Sequence, residues 1–326
     1  MSNEAASTVH VVVGRPRVYG ADRRAIAREL AAAHGGVVHR LALAEHGIDR
    51  FAVRNEVAAG RWFKVGRHTV AIHSPELNET ARWWRAVWES GSGARLDGVS
   101  ALEASGMTGY HASVIDVTVP KSSHTHAVER VRLHLPRVPA PVVGAGIRKV
   151  APDIATIHAA QWAATDRQAA LVICMPLQQR LTTPSRLQLA WHGVQRSARR
   201  KLLDGVIGDV ADGAHSLGEL DFTRMARRVG LPPPSHQSLR DGPDSRVYLD
   251  VSWDDVGLVV EIDGGHHALA LNPIDDALRQ NDRVTAGERV LRVPVIGLRL
   301  LPQKFMQQVR HTYDVLRAEA SRPRMR

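Results

Sequence analysis

Sulfhydryl chemistry is nearly absent from this chain: among 326 residues there is one cysteine, Cys174. An intramolecular disulfide is thereby excluded, and the usage fits a reducing compartment, so a cytoplasmic, nucleoid-associated protein is expected. Cys174 lies in the apolar run Leu171–Met175 and reads as a buried packing residue. Long apolar runs are missing too. None approaches the eighteen or so residues a membrane span needs, so no membrane partner is expected. The stretch Val9–Val13 is too short, and lacks the basic start, for a secretory signal. There is no glycine-rich phosphate loop, no CxxC pair, no HExxH and no internal repeat. Acid is in short supply: 43 Lys and Arg face 33 Asp and Glu, giving a net charge of +10. A surplus of that size points to a polyanion partner, nucleic acid ahead of an anionic membrane surface.

What is present is the composition of a folded protein. Hydrophobic residues make up 44% and charged residues 23%, and the length allows two or three domains with real cores. The expected class is α/β multidomain, divided as a tail over residues 1–20, a small DNA-binding domain over 21–75, an α+β middle domain over 76–195 and an α/β core over 196–326.

In the first of these domains, Asp22 opens an Ala-rich helix that Gly35-Gly36 ends. Val37–His39 is a brief extended link and Arg40–His46 a short helix. Ile48–Ala59 is a third helix with Asp49 at its N-cap. Ile48, Ala52, Val53 and Val57 form its apolar stripe, while Arg50, Arg54 and Asn55 face outward. After Gly60, residues 61–72 alternate about Gly66-Arg67 as a β-hairpin. This order is that of a winged helix-turn-helix, in which the third helix enters the major groove and the hairpin touches phosphates. Arg50, Arg54 and Asn55 would face bases; Arg61, Lys64 and Arg67 would face the backbone. The alternative is a structural three-helix domain with a solvated basic face. The pattern resembles the N-terminal domain of abortive-infection antitoxin-like proteins of the AbiEi type, which similarly precedes nuclease-like domains.

The middle region is less informative. Helices are expected over 79–89, 96–105, 153–164 and 166–175, and strands over 114–119, 129–135 and 146–150. The tryptophans of Glu79–Glu89 read as core anchors. Residues 184–212 look helical and carry the basic segment Arg196–Lys201, which either tracks phosphates or is a solvated face.

The C-terminal part is organised around residues 246–267. Val247–Val251 and Gly257–Ile262 are short and β-branched, and Trp253, Asp254 and Asp255 read as the loop of a hairpin. Asp250, Glu261 and Asp263 would gather at one end of it, the latter two on one face because strand side chains alternate. Glu261 sits between apolar residues, where an unpaired carboxylate is costly. Oxygen ligands of this kind suit a hard cation, Mg²⁺ or Mn²⁺. Gly264-Gly265 permits a tight turn, and His266-His267 follow. A helix is expected over 217–229 behind the capping-box pattern Ser216–Glu219, another over 275–286, a strand over 289–293 and a final helix over 304–318.

Asp250, Glu261, Asp263-Gly264, the nearby His266 and the later Val290–Val293 resemble the Vsr-like branch of the PD-(D/E)XK nucleases. This restriction-endonuclease-like fold occurs in very-short-patch repair enzymes and in actinobacterial proteins. The resemblance covers residues 216–316. It departs from the family at Asp263, where the usual E-x-K has lysine. The resemblance implies a metal-dependent endonuclease acting on DNA in repair or defence. Asp250 and Glu261, with the main-chain carbonyl of Ile262, would hold the metal. Asp263 would be an extra ligand or orient the attacking water, and His266 would act as general acid or base. Glu219 has two roles open to it, helix cap and metal ligand. Arg279 falls on an element recurrent in relatives and would contact DNA. The rival expectation is a DNA-binding regulator or antitoxin-like protein whose nuclease fold has lost activity; an RNase is a third. A second copy of the chain is an open partner, since double-strand cleavage usually needs two sites, and the sequence names no toxin or repair partner.

Overall fold

The computed structural model describes residues 18–137, 140–212, 222–241, 247–263, 277–278, 281 and 290–321. The fold is mixed α/β with several sheets. No helix among the described residues is long and apolar enough to cross a membrane. The chain divides into two compact units, one of residues 1–96, 117–139 and 144–148, the other of 97–116, 140–143 and 149–326.

In the first unit the elements run α1 (Gly20–Ala32), β1 (Val37–His39), α2 (Arg40–Glu45), α3 (Arg50–Ala58), β2 (Phe63–Lys64), β3 (Thr69–Ala71) and α4 (Glu79–Glu89). Asp49 starts α3 by accepting the Ala52 amide at 2.8 Å, and Asn78 starts α4 by accepting that of Ala81 at 2.8 Å, each satisfying an orphan donor of the first turn. The strands form one sheet in the order β1-β3-β2. Both of its faces are covered. Val38 and Val70 pack with Ala27, Leu43, Ile48, Val53 and Trp62 of the helical side, while Val37 and Ala71 pack with Ala81, Trp84 and Trp88 of α4. Two of the three tryptophans of α4, Trp84 and Trp88, are thus packing residues.

The turn between β2 and β3 is fixed by a buried acid. Glu89, 2% exposed, accepts from the amides of Arg67 (2.8 Å) and His68 (2.7 Å) and the Thr69 hydroxyl (2.7 Å). Burial alone would push its carboxyl up. The Thr69 hydroxyl and the two amides outweigh that and hold it below the ordinary glutamate range. Gly66 is required here, because a Cβ would stand 2.3 Å from the Glu89 Oε1. The unit also contains β4 (Arg95–Leu96), which pairs antiparallel with Val117 and Thr118 at the end of β5 (Ile115–Thr118), and β6 (Val131–His134). Where a helix was expected from Leu96, Leu96 pairs with Val117 instead, and the helix begins only after Asp97.

The second unit opens with α5 (Gly98–Glu103), capped by Asp97, and the short hairpin β7 (Val142–Val143) and β8 (Lys149–Val150). Helices α6 (Pro152–Trp162), α7 (Asp166–Gln178), α8 (Pro184–His192) and α9 (Arg200–Asp212) follow. Helix α7 runs through Pro176, past the expected stop at Met175, and Pro176 is buried with Val172, Ile173 and Cys174. Such burial offsets the roughly 3 kcal/mol an interior proline costs. Cys174 is fully buried, which pushes its thiol up and leaves it unreactive.

Next come α10 (Phe222–Arg228), β9 (His236–Asp241), β10 (Val247–Trp253), β11 (Leu258–Asp263), β12 (Val290–Pro294), α11 (Val295–Leu300) and α12 (Pro302–Ala320). The four strands form one sheet, β12-β11-β10-β9, antiparallel except for the parallel pair of β11 and β12. Strand β9 and helix α11 were not expected from the sequence. Trp253, expected in the loop, ends β10 and is 1% exposed. One face of the sheet is core: Leu249, Val251, Trp253, Leu258, Val260, Ile262, Leu291 and Val293 are all buried. Tyr313 of α12 ties the hairpin turn to this layer by donating to Asp255 at 2.6 Å.

Candidate functional site

Two places gather the residues that the sequence singles out. The first is the exposed side of α3 in the first unit. Val53 and Glu56 are buried, so the helix period leaves Arg50, Phe51, Arg54 and Asn55 outward. The guanidinium carbons of Arg50 and Arg54 lie 4.8 and 5.4 Å from the centroid of the Phe51 ring. Lys64 on β2 is exposed and lines the same pocket as Arg50 and Arg54, together with Arg40 of α2. Arg67 is exposed at the turn that Glu89 fixes.

Arg61 is placed differently. Its Nε sits 2.6 Å from an oxygen of Glu56, whose other oxygen meets Arg23 at 3.1 Å. Burial raises the Glu56 carboxyl, yet the bond and charge of Arg61, with Arg23 and Arg24 behind, hold it below the ordinary range. Arg61 therefore closes the end of α3 as an ion-pair partner. Two arginines of the basic segment Arg196–Lys201 are engaged in a similar way, while Arg196 and Lys201 are exposed. Arg199 binds Asp166 at 2.9 Å and the carbonyls of Gln161 and Ala164. Arg200 lies 4.5 Å over the ring of Trp191. The segment is also not one helical face, because α8 ends at His192 and α9 starts at Arg200.

The second place is the sheet face opposite the core. Asp250 and Glu261 are direct cross-strand partners, so their side chains project from the same face. They sit in mid-strand, not at the tip of the hairpin beside its turn. Across the next strand Glu261 is in register with Arg292, and the Arg292 Nε stands 3.3 Å from the Glu261 Oε2. Arg292 is 65% exposed along its side chain and Glu261 23%. On the other flank Asp250 faces Ser238 of β9. A polar row, Ser238, Asp250, Glu261 and Arg292, thus crosses the sheet. Asp263 follows Glu261 by two residues, with Tyr248 and Pro294 as its Cα partners. Ile262 is buried on the opposite face. Glu219, His266 and Arg279 lie outside the described residues.

The outer edge of β12 is closed by a side chain. The Asn281 amide accepts from the Arg292 N–H at 3.1 Å and donates to the Arg292 carbonyl at 3.0 Å, as a neighbouring strand would. Asn281 is 2% exposed.

Three contributors were missed in the sequence: Arg40, Phe51 and Arg292. The signals were there for two of them. Phe51 is an aromatic lying off the apolar stripe of its own helix, and Arg292 is a charge inside an otherwise apolar strand. Chemically, the α3 face can hold phosphate and stack on a planar group. The acidic row can hold a hard cation through carboxylate oxygens. A scan against protein-family models finds no match, and a search of curated proteins finds none either.

Proposed function

We propose that this chain is a DNA-binding, metal-dependent endonuclease. Its first unit would act as a winged helix that docks nucleic acid through Arg50, Arg54, Asn55, Lys64 and Arg67. Its second unit would carry a restriction-endonuclease-like core. The single observation that carries the reading is the register of Asp250 with Glu261 on the solvent-side face of one sheet. Two further features support it. The strand order β12-β11-β10-β9, with only the last-added strand parallel, suits that core. The order α1, β1, α2, α3, β2, β3 with sheet order β1-β3-β2 suits a winged helix.

The donors fit a divalent cation. Two carboxylates offer about four lone-pair sites each, more than the Arg292 contact on the Glu261 Oε2 takes up. Asp250 and Glu261 would hold the ion, Mg²⁺ or Mn²⁺. When bound it supplies Lewis acidity at the scissile phosphate and lowers the pKa of its water. Arg292 neutralises Glu261 at rest and offers its remaining guanidinium donors to a phosphate oxygen, a bidentate geometry to which arginine is suited. It thus places a cation beside the acids where the family's lysine is replaced by Asp263. Arginine stays protonated, so it stabilises charge and does not take a proton.

The test is incubation of the purified chain with supercoiled plasmid and single-stranded circles, with Mg²⁺ or Mn²⁺ and in excess EDTA. Cleavage should require metal and vanish in Asp250→Ala and Glu261→Ala. Cleavage that persists in EDTA, or native-rate cleavage by Glu261→Ala, contradicts the scheme. The rival is a regulator that binds DNA and leaves it whole. The Glu261–Arg292 ion pair favours it, and it predicts salt-dependent binding with no scission under any metal.

A further inference from the structure

A pocket of about 590 Å³ opens between α2, α3 and β2, within the usual range for small-molecule sites. Its walls divide by chemistry. Arg40, Arg50, Arg54 and Lys64 supply four cations, and among the described residues no carboxylate lines it. Ile48, Val53 and Val57 make an apolar floor. Phe51 stands at the wall, 48% exposed, with the guanidinium groups of Arg50 and Arg54 near its ring.

Two observations say that these cations are not there for the fold. None of the four is ion-paired among the described residues, in contrast to Arg23 and Arg61 nearby, which both answer Glu56. In addition, the Arg40 Nε is buried and has no hydrogen-bond partner. A guanidinium donor left unmet costs about 1–3 kcal/mol or more, so this nitrogen does not tie Arg40 to the fold. A floor of aliphatic residues beside an exposed aromatic is, however, wasted on a bare phosphate. A ligand that uses the whole pocket is anionic at one end and flat and apolar at the other.

We infer that this pocket takes a single unstacked nucleotide, its base against Phe51 and the floor and its phosphate among Arg40, Arg54 and Lys64. This rests on the nucleic-acid reading above and deepens it: the first unit would select strands whose bases are free of the duplex stack, such as single strands, frayed ends or extruded bases. A base inside a paired helix presents only its edge and cannot use an aromatic wall. Unstacked bases bind in this way, on aromatic side chains and arginine planes, wherever single strands are held.

The test uses the full chain in EDTA, so that cleavage does not intrude, and follows fluorescence anisotropy of an end-labelled oligothymidylate and of a matching blunt duplex. Wild type should bind the single strand more tightly than the duplex. Phe51→Ala, whose side chain is half exposed and whose thermal midpoint should be unchanged, should weaken the single strand roughly 5- to 150-fold and leave the duplex within about twofold. Phe51→Trp should restore single-strand binding. Arg40→Gln should weaken the single strand as well, confirming that the phosphate end is used. Displacement of the oligonucleotide by thymidine monophosphate at low concentration would identify the free nucleotide as the natural source; displacement only by oligonucleotides would identify a strand. Equal losses for single strand and duplex in Phe51→Ala, or no loss for either, would overturn the inference while leaving nucleic-acid binding in place. So would a change in oligomeric state in Phe51→Ala with binding unaltered, which would make the pocket a protein contact. Failure of wild type to bind either nucleic acid would overturn both.

Discussion

Glu89 shows how much of the first unit depends on one carboxylate. It is nearly inaccessible and holds three consecutive residues of the β2–β3 turn through hydrogen bonds. Its folded-state pKa lies below the ordinary value near ~4.3. The unfolded chain therefore binds the proton more readily in that window. The associated stability is fully present above the unfolded value and is lost as the pH falls through the folded one. His39 adds to the same trend from higher pH. Burial first, then the neighbouring His68, push its imidazole below the ordinary value near ~6.5, so stability begins to fall once the pH drops below that. Urea melts of the wild type between neutrality and mild acid should show a falling midpoint, and Glu89→Gln should flatten the part of the fall that lies below about pH 4.3. At the same turn, Gly66→Ala should destabilise the protein by about 1–3 kcal/mol, the range typical of overpacking, because the three hydrogen bonds keep Glu89 from moving aside. An unchanged melt in Gly66→Ala would show that the carboxylate is free to shift.

At the scale of elements, the register of the second unit's sheet does the chemical sorting. Alternation sends Leu249, Val251, Val260 and Ile262 into the core and leaves Asp250 and Glu261 together on the other side. A one-residue slip of β11 would turn Glu261 into the core and part it from Asp250. The edge of that sheet is held by Asn281, whose amide makes both of the bonds that a further strand would make to Arg292. Asn281→Ala should cost about 1–3 kcal/mol without touching the acids, and thermal melts will read it. The same elements show where sequence reasoning held and where it stopped. The helices α3, with Asp49 as its cap, and α4 over Glu79–Glu89 were legible, as were β10 and β11 with their β-branched runs. Strand β9 was not, because His236, Gln237 and Ser238 carry no alternation; it is the edge strand of the sheet, paired only with β10. The facing of Asp250 and Glu261 was legible in outline only. It follows from cross-strand register, and the neighbour that modifies it, Arg292, arrives from a strand almost thirty residues further on, which no local pattern reveals. The ion pair of Arg61 was not legible, because its partner Glu56 lies on the buried side of α3, where an acid was not expected.

The whole molecule carries a net charge of +10, and the described basic residues are not all available. Arg23, Arg61, Arg199 and Arg299 are committed to Glu56, Asp166 and Asp209. Arg40, Arg50, Arg54, Lys64 and Arg67 of the first unit remain for an external anion. Binding should therefore be steeply salt-dependent, with a log–log slope that falls by about 0.7 for each phosphate contact removed from a single strand. Lys64→Ala should reduce the slope by roughly that amount, whereas Arg200→Ala should leave it unchanged because that side chain is stacked on Trp191. A slope that ignores Lys64 would place the interface elsewhere. The two units divide the proposed labour, so Asp250→Ala should retain wild-type affinity for nucleic acid while losing cleavage.

The claim on which this division stands is that Asp250 and Glu261 together grip a divalent cation. Calorimetric titration of Mn²⁺ into the wild type and into Asp250→Asn and Glu261→Gln measures it directly. The account predicts a saturable site in the wild type that either substitution abolishes. Identical heats in all three proteins would contradict it.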